Sequence, residues 1–196
     1  MTPSLEYFFD FRSPYSYLAY SQLPELSADV VLRPMSVLKV MEEVGNVPTT
    51  LVCAAKGRYA RADLVRWAQR YQVALNPGDM KSTDGDACSR AVLAADSAEQ
   101  AAAITDALFR ACWGEGKSLA SVADILGVLT ATGIDTTTLG ARIDDPTTVA
   151  ALDANTKEAA ARGVFGSPTI LIGDTMFFGN DRLDFVREHL ALQGAK

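Results

Sequence analysis

Ser13-Pro14-Tyr15-Ser16 stands between an apolar, strand-like run, Leu5 to Phe11, and a helical pattern that opens at Pro14. Two hydroxyls at a strand-to-helix turn occupy the positions where a redox site would carry Cys-x-x-Cys. The first turn of a helix presents unpaired amides and the positive end of the backbone dipole, so it favours an anion. A serine there cannot form a disulfide, yet its hydroxyl can donate a hydrogen bond to a thiolate that arrives with a ligand. The pattern suggests a site built to bind and activate an external thiol, with glutathione the natural candidate. The same residues also read as a plain helix start, since Ser is a favoured N-cap and Pro a favoured first helical residue.

A second motif lies near the other end of the chain. Val164-Phe165-Gly166-Ser167-Pro168-Thr169 leads into the apolar strand Ile170-Leu171-Ile172. A proline at the mouth of a buried strand is where a cis peptide sits, and where a backbone edge is left free to pair with a peptide-like ligand.

The elements that must position these motifs follow from periodicity. Leu5 to Phe11, Pro14 to Leu26 and Val30 to Arg33 read as strand, helix and strand, which makes a βαβ unit. Strand character then disappears. Tyr59 to Tyr71, Asp84 to Ala95 and Ser97 to Trp113 read as helices, the last with Ile104, Ala107, Leu108, Ala111 and Cys112 on one face. Val122, Ile125, Leu126 and Leu129 repeat the spacing, and Pro146 opens a further helix. Strands return at Thr169 to Ile172 and Met176 to Phe178 around the turn Gly173-Asp174-Thr175, and Asn180 is read as the cap of the final helix.

Composition bounds the rest. A chain of 196 residues, 48% hydrophobic and 21% charged, buries a sizeable core. Its net charge of -6 argues against nucleic acid as a partner, because phosphate binding needs a basic stripe. No apolar run approaches a membrane span and no basic region with an apolar stretch opens the chain, which places the protein in the cytoplasm, away from membranes. Cys53, Cys88 and Cys112 are widely spaced and read as reduced thiols. His189 is the sole histidine, too few for a zinc site or a Ser-His-Asp triad, and no metal is expected. Neither a glycine-rich phosphate loop nor an internal repeat is present.

Several fragments together carry a family resemblance. Phe9 to Ala19, Gly45-Asn46-Val47, Arg66-Trp67-Ala68-Gln69, Trp113-Gly114-Glu115-Gly116, Val164 to Thr169 and Gly179-Asn180-Asp181-Arg182-Leu183 run in order over nearly the full length. The chain resembles the 2-hydroxychromene-2-carboxylate isomerases, relatives of kappa-class glutathione transferases and of the DsbA group. The resemblance implies an α/β, thioredoxin-like fold with a large all-helical insertion of the DsbA/kappa type. Residues 1-37 and 163-196 would form the split thioredoxin-like part and 38-162 the helical insertion, with the active cleft between them. The implied activity is glutathione-dependent interconversion of 2-hydroxychromene-2-carboxylate and trans-o-hydroxybenzylidenepyruvate, in aromatic-compound catabolism, with glutathione as cofactor.

By the same resemblance Ser13 would stabilise the thiolate. Ser167 and Pro168 would pair with the cysteinyl part, while Asn180 and Asp181 would hold the γ-glutamyl end; these two also read as an ordinary helix start. Asn46 and Lys56 would reach glutathione as well, Lys56 through the glycyl carboxylate or else as a solvated side chain. For the aromatic 2-oxo acid, Tyr15, Tyr59, Trp67 and Trp113 could wall a pocket or belong to the core. Arg12 stands where relatives commonly carry an aliphatic residue, and it either binds a substrate carboxylate or faces solvent. A kappa-like transferase and a non-catalytic glutathione-binding protein are the competing readings, disulfide exchange is disfavoured, and a homodimer is left open.

Overall fold

Strand β1, Ser4–Phe9, has to lie at the centre of a sheet because it is buried on both faces: Leu5, Tyr7 and Phe9 join one apolar cluster and Phe8 another. That split follows from the two-residue period of a strand. In the computed structural model, which describes residues 2–194, β1 pairs in parallel with β2, Asp29–Pro34, and antiparallel with β3, Thr169–Ile172. Strand β4, Thr175–Phe178, completes the order β2-β1-β3-β4. Helix α1, Pro14–Tyr20, forms the crossover that a parallel β1–β2 pair requires. A parallel βαβ unit joined to an antiparallel hairpin is a thioredoxin-like sheet.

The helices between β2 and β3 are α2, Val37–Glu43; α3, Thr49–Val52; α4, Ala54–Tyr71; α5, Gly85–Leu93; α6, Ala98–Phe109; α7, Val122–Ala131; α8, Leu139–Ile143; and α9, Pro146–Ala161. The larger core gathers Tyr7, Phe9, Phe11, Phe109, Trp113 and Ile125, with the rings of Phe11 and Phe109 4.6 Å apart. The smaller core, Phe8, Met35, Val40, Ala159, Val164 and Leu171, is closed by α2 and α9 on the other face. Helix α10, Leu183–Gly194, follows β4 and adds Leu183, Val186 and Leu190 to the larger core.

Several boundaries differ from the periodicity reading. Helix α1 stops at Tyr20 instead of reaching Leu26, and Pro24 sits inside a separate 3-10 turn, Leu23–Glu25, because a proline cannot continue an α-helix. Helix α6 does not run on to Trp113: it gives way to a π turn, Arg110–Gly114. Asn180 is not the cap of the last helix. It begins a 3-10 turn, Asn180–Arg182, it is buried, and its carbonyl accepts the Tyr71 hydroxyl at 2.7 Å. The hairpin loop is the two residues Gly173 and Asp174, Thr175 already pairing with Ile172, and Gly173 supplies the positive φ of 57°.

Candidate active site

Ser13 caps α1: its φ and ψ of -94° and 112° are extended, and its Oγ accepts the Ser16 N–H at 3.2 Å. The same hydroxyl donates to the Ser167 carbonyl at 3.1 Å, so the two sequence motifs, 154 residues apart, meet. Ser16 is fully buried, and its Oγ lies 2.6 Å from Ser167 Oγ, which also takes the Asp10 N–H at 3.0 Å. The Ser16 carbonyl accepts the buried Tyr7 hydroxyl at 2.6 Å. The Ser167-Pro168 bond is cis, as the sequence suggested.

What remains free at this junction is informative. The N–H groups of Tyr15 and Ser167 find no acceptor within the protein among the described residues. They belong to the two segments that the Ser13 hydroxyl joins, and that hydroxyl can turn from the Ser167 carbonyl to a new acceptor. A sulfur anion placed there would take Ser13 Oγ–H and the Tyr15 amide, and the released Ser167 edge would pair with a peptide backbone. With seven residues, α1 adds only a short dipole, so the directed donors carry most of the stabilisation. The residues present fit a cysteinyl thiolate with peptide bonds on either side.

Tyr15 extends the site towards α4. Its hydroxyl donates to Asp63 Oδ2 at 3.3 Å, and burial, reinforced by the charge of Asp63, pushes the phenol up to about 12. It therefore stays protonated over the ordinary pH range. Tyr59 reaches the other oxygen of Asp63 at 3.5 Å and is largely exposed, with the Arg66 guanidinium 5.9 Å from its ring centre. Trp67 lies further along α4, 5.2 Å from Tyr71 and beneath the Arg70 guanidinium. Trp67, Arg70, Tyr71, Asn180, Asp181 and Arg187 all line a polar cavity of about 390 Å³ that Ser13 and Ser167 do not reach. Asp181 pairs with its neighbour Arg182 at 2.6 Å and is exposed, whereas the buried Asn180 Nδ2 has no partner.

Other candidate residues go elsewhere. The Trp113 indole N–H donates to the Phe11 carbonyl at 2.8 Å and the ring is buried, so Trp113 is a core residue that holds the β1–α1 turn and not a wall of an open pocket. Arg12 is half-buried and offers no free cation: its guanidinium is bound to Asp10 and Asp86, each at 2.7 Å. Asn46 donates to the Phe165 carbonyl at 2.7 Å, fastening the loop after α2 to the Ser167 loop. Lys56 is exposed on the first turn of α4. Sequence reading gave no role to Ser16, Tyr7, Asp10 or Asp63. Ser16 lies within the first motif and Asp10 in the Phe9 to Ala19 fragment that contains it, but Asp63 and Tyr7 carry no local signal.

The described residues contain no helix long and apolar enough to cross a membrane and no cluster of three metal-ligating side chains. A family profile described as DSBA-like thioredoxin domain matches residues 4–191. A 2-hydroxychromene-2-carboxylate isomerase of Sphingobium xenophagum is 32% identical, over 97% of this chain and 99% of its own. A solved structure of 2-hydroxychromene-2-carboxylate isomerase superposes with a TM-score of 0.87 at 30% identity, covering 97% of both chains. Glutathione S-transferase kappa 1 of Rattus norvegicus is more distant, at 26% identity over 93% of this chain and 88% of its own.

Proposed function

The chain belongs to the DSBA-like thioredoxin domain family, and on that premise we propose that it is a glutathione-dependent isomerase that interconverts 2-hydroxychromene-2-carboxylate and trans-o-hydroxybenzylidenepyruvate. The observation that carries this reading is the junction of Ser13 with Ser167, a thiolate-binding arrangement with serine at both positions 13 and 16. Such a site activates a thiol without exchanging disulfides. The identity to isomerases over nearly the whole chain supports the substrate class.

When bound, glutathione supplies a nucleophilic sulfur that adds reversibly to the conjugated 2-oxo acid and so frees a double bond to rotate. The chain's own residues provide the conditions. A free thiol has a pKa near 8.5, so only a few per cent is ionised at neutral pH unless the site favours the anion. Ser13 Oγ–H and the Tyr15 N–H favour it selectively, which lowers the barrier because the charge is on sulfur when attack begins. Ser167 N–H and C=O align the cysteinyl backbone. Asn180 and Asp181 take the γ-glutamyl end beside the polar cavity, and Asn46 and Lys56 lie towards the glycyl carboxylate. Tyr15, kept neutral, is a donor towards the substrate's oxygens, and Tyr59 and Trp67 offer aromatic faces along α4.

The test is to follow both isomers by absorbance with purified protein, with and without glutathione. The expected result is an equilibrium mixture reached only when glutathione is present, with its concentration unchanged at the end. Conversion at the same rate without glutathione overturns the cofactor assignment, and steady consumption of glutathione into a conjugate makes the protein a transferase.

A further inference from the structure

Asp10 is wholly buried at the end of β1, and its backbone carbonyl accepts the Ser13 N–H at 3.0 Å. An unpaired carboxylate in that position would oppose a second anion at Ser13. The structure surrounds it with donors: Arg12 N–H and Nε on Oδ1 at 2.8 and 2.9 Å, and Arg12 Nη2 and the Val37 N–H on Oδ2 at 2.7 and 2.8 Å. Arg12 Nη2 goes on to Asp86 Oδ1 at 2.7 Å, in the first turn of α5, and to Ser36 Oγ at 3.2 Å. The stem of Arg12 crosses Gly85 so closely that a β-carbon there would lie 2.7 Å from Arg12 Nε. One side chain thus fastens the Ser13 turn, the start of α2 and the start of α5 together.

We propose that Arg12 is a positioning residue for the isomerisation: it cancels the buried charge of Asp10 beside the thiolate site and clamps the Ser13 turn onto helix α5. The inference deepens the isomerase reading and rests on its thiolate site. Other charges around the turn are already matched or more remote. Lys39 of α2 stands 3.9 Å from Asp86 and 3.1 Å from Asp153; Asp84 of α5 caps its own helix; Asp63 of α4 faces Tyr15, Tyr59 and Arg66; and Asp181 faces Arg182. Arg12 is the only cation within hydrogen-bonding reach of Asp10 among the described residues. Burial works against its charge, but Asp10 and Asp86 outweigh that and hold it ionised. The guanidinium is therefore committed, and a substrate carboxylate would have to displace one of two anions to reach it.

The test reads the electrostatics of the turn without any ligand. In a Ser13→Cys protein, the rate of iodoacetamide alkylation against pH gives the pKa of a thiol at this position. Adding Arg12→Gln, which removes the charge, should raise that pKa by about one unit, a tenfold loss of thiolate at a fixed pH below both values. Arg12→Lys, which keeps the charge, should restore most of it. Pairing Arg12→Gln with Asp10→Asn, which removes both charges, should return the thiol close to its starting value. Equal pKa values with and without the arginine overturn the inference, as does a lysine variant that behaves like glutamine. If Arg12→Gln alone does not fold, folding of the Asp10→Asn pair supports the charge balance and its continued disorder overturns it. Calorimetry with glutathione on the unaltered protein reads the function proposal separately, so the two fail independently.

Discussion

The β1–α1 turn and the outer face of α4 both present polar groups near Tyr15, whose hydroxyl bonds Asp63 of α4, but they are built in opposite ways. Around the turn, Ser16 and Asp10 are fully buried, and the carboxylate of Asp10 holds four donors. Along α4 and the 180–182 turn, Lys56 and Tyr59 are exposed, Arg66 stands 3.9 Å from Asp63, and Asp181 is paired only with its sequence neighbour. The first region is fixed by burial, and only the Ser13 hydroxyl would have to turn, from the Ser167 carbonyl, to meet a sulfur anion there. Groups in the second are screened by solvent and are individually weak. On the proposed function, a reacting sulfur would need fixed dipoles, whereas terminal carboxylates and an ammonium would tolerate an adaptable, hydrated surround.

That contrast is broken most severely by removing the support beneath the turn. Trp113→Ala deletes a buried ring and leaves the Phe11 carbonyl without its donor, so a loss of about 3–5 kcal/mol is expected from truncation of a core aromatic. Urea unfolding checks it. A midpoint unchanged from the parent would mean that the turn is held without Trp113. Next comes Ser13→Ala, which removes one hydrogen bond to a charged group. A loss of about 1.5–3 kcal/mol corresponds to roughly one to two pKa units in the bound thiol, with little change in glutathione affinity. Thiolate absorbance of bound glutathione against pH, together with the isomerisation rate, reads both. A variant that titrates and turns over like the parent reduces Ser13 to a helix cap.

The smallest effect belongs to the exposed region. Asp181→Ala should weaken glutathione binding by tenfold or less, since exposed pairs contribute about 0.2–1 kcal/mol, and the difference should shrink further as salt rises. Calorimetry at two ionic strengths separates the outcomes. A hundredfold, salt-independent loss would show that Asp181 becomes buried with its ligand and that the 180–182 turn is as preorganised as the Ser13 turn.

What sequence made legible follows the same division. Strand β1, the Ser13 cap and the Ser167-Pro168 strand entry are local patterns, and apolar alternation, a capping hydroxyl and a proline at a strand mouth announce them in a few residues. The meeting of Ser13 with Ser167 was legible only through the family resemblance, because nothing local joins them. The ion pair of Arg12 with Asp86 is not legible locally, because that partner is 74 residues away in a helix whose packing periodicity cannot orient. Asn180 was misread as a cap because local preference was overridden by burial and by the hydroxyl of Tyr71, 109 residues earlier. Helix α4 begins at Ala54, five residues before the reading placed it, since Lys56, Gly57 and Arg58 give no apolar face to follow.

The π turn that ends α6 has a consequence for the cleft that lies in helical phase. A π turn is a stretch of α-helix that has absorbed one extra residue, and each residue advances an α-helix by about 100°. Ile104 and Leu108 belong to the regular part of the helix, while Trp113 lies within the π turn. Shortening Arg110–Gly114 by one residue would leave every α6 contact before it in place and swing the indole about a quarter-turn off the Phe11 carbonyl. The turn that carries Ser13 is thus indexed to the register of a helix almost a hundred residues downstream, and a change in length there acts on that turn as directly as a substitution inside it.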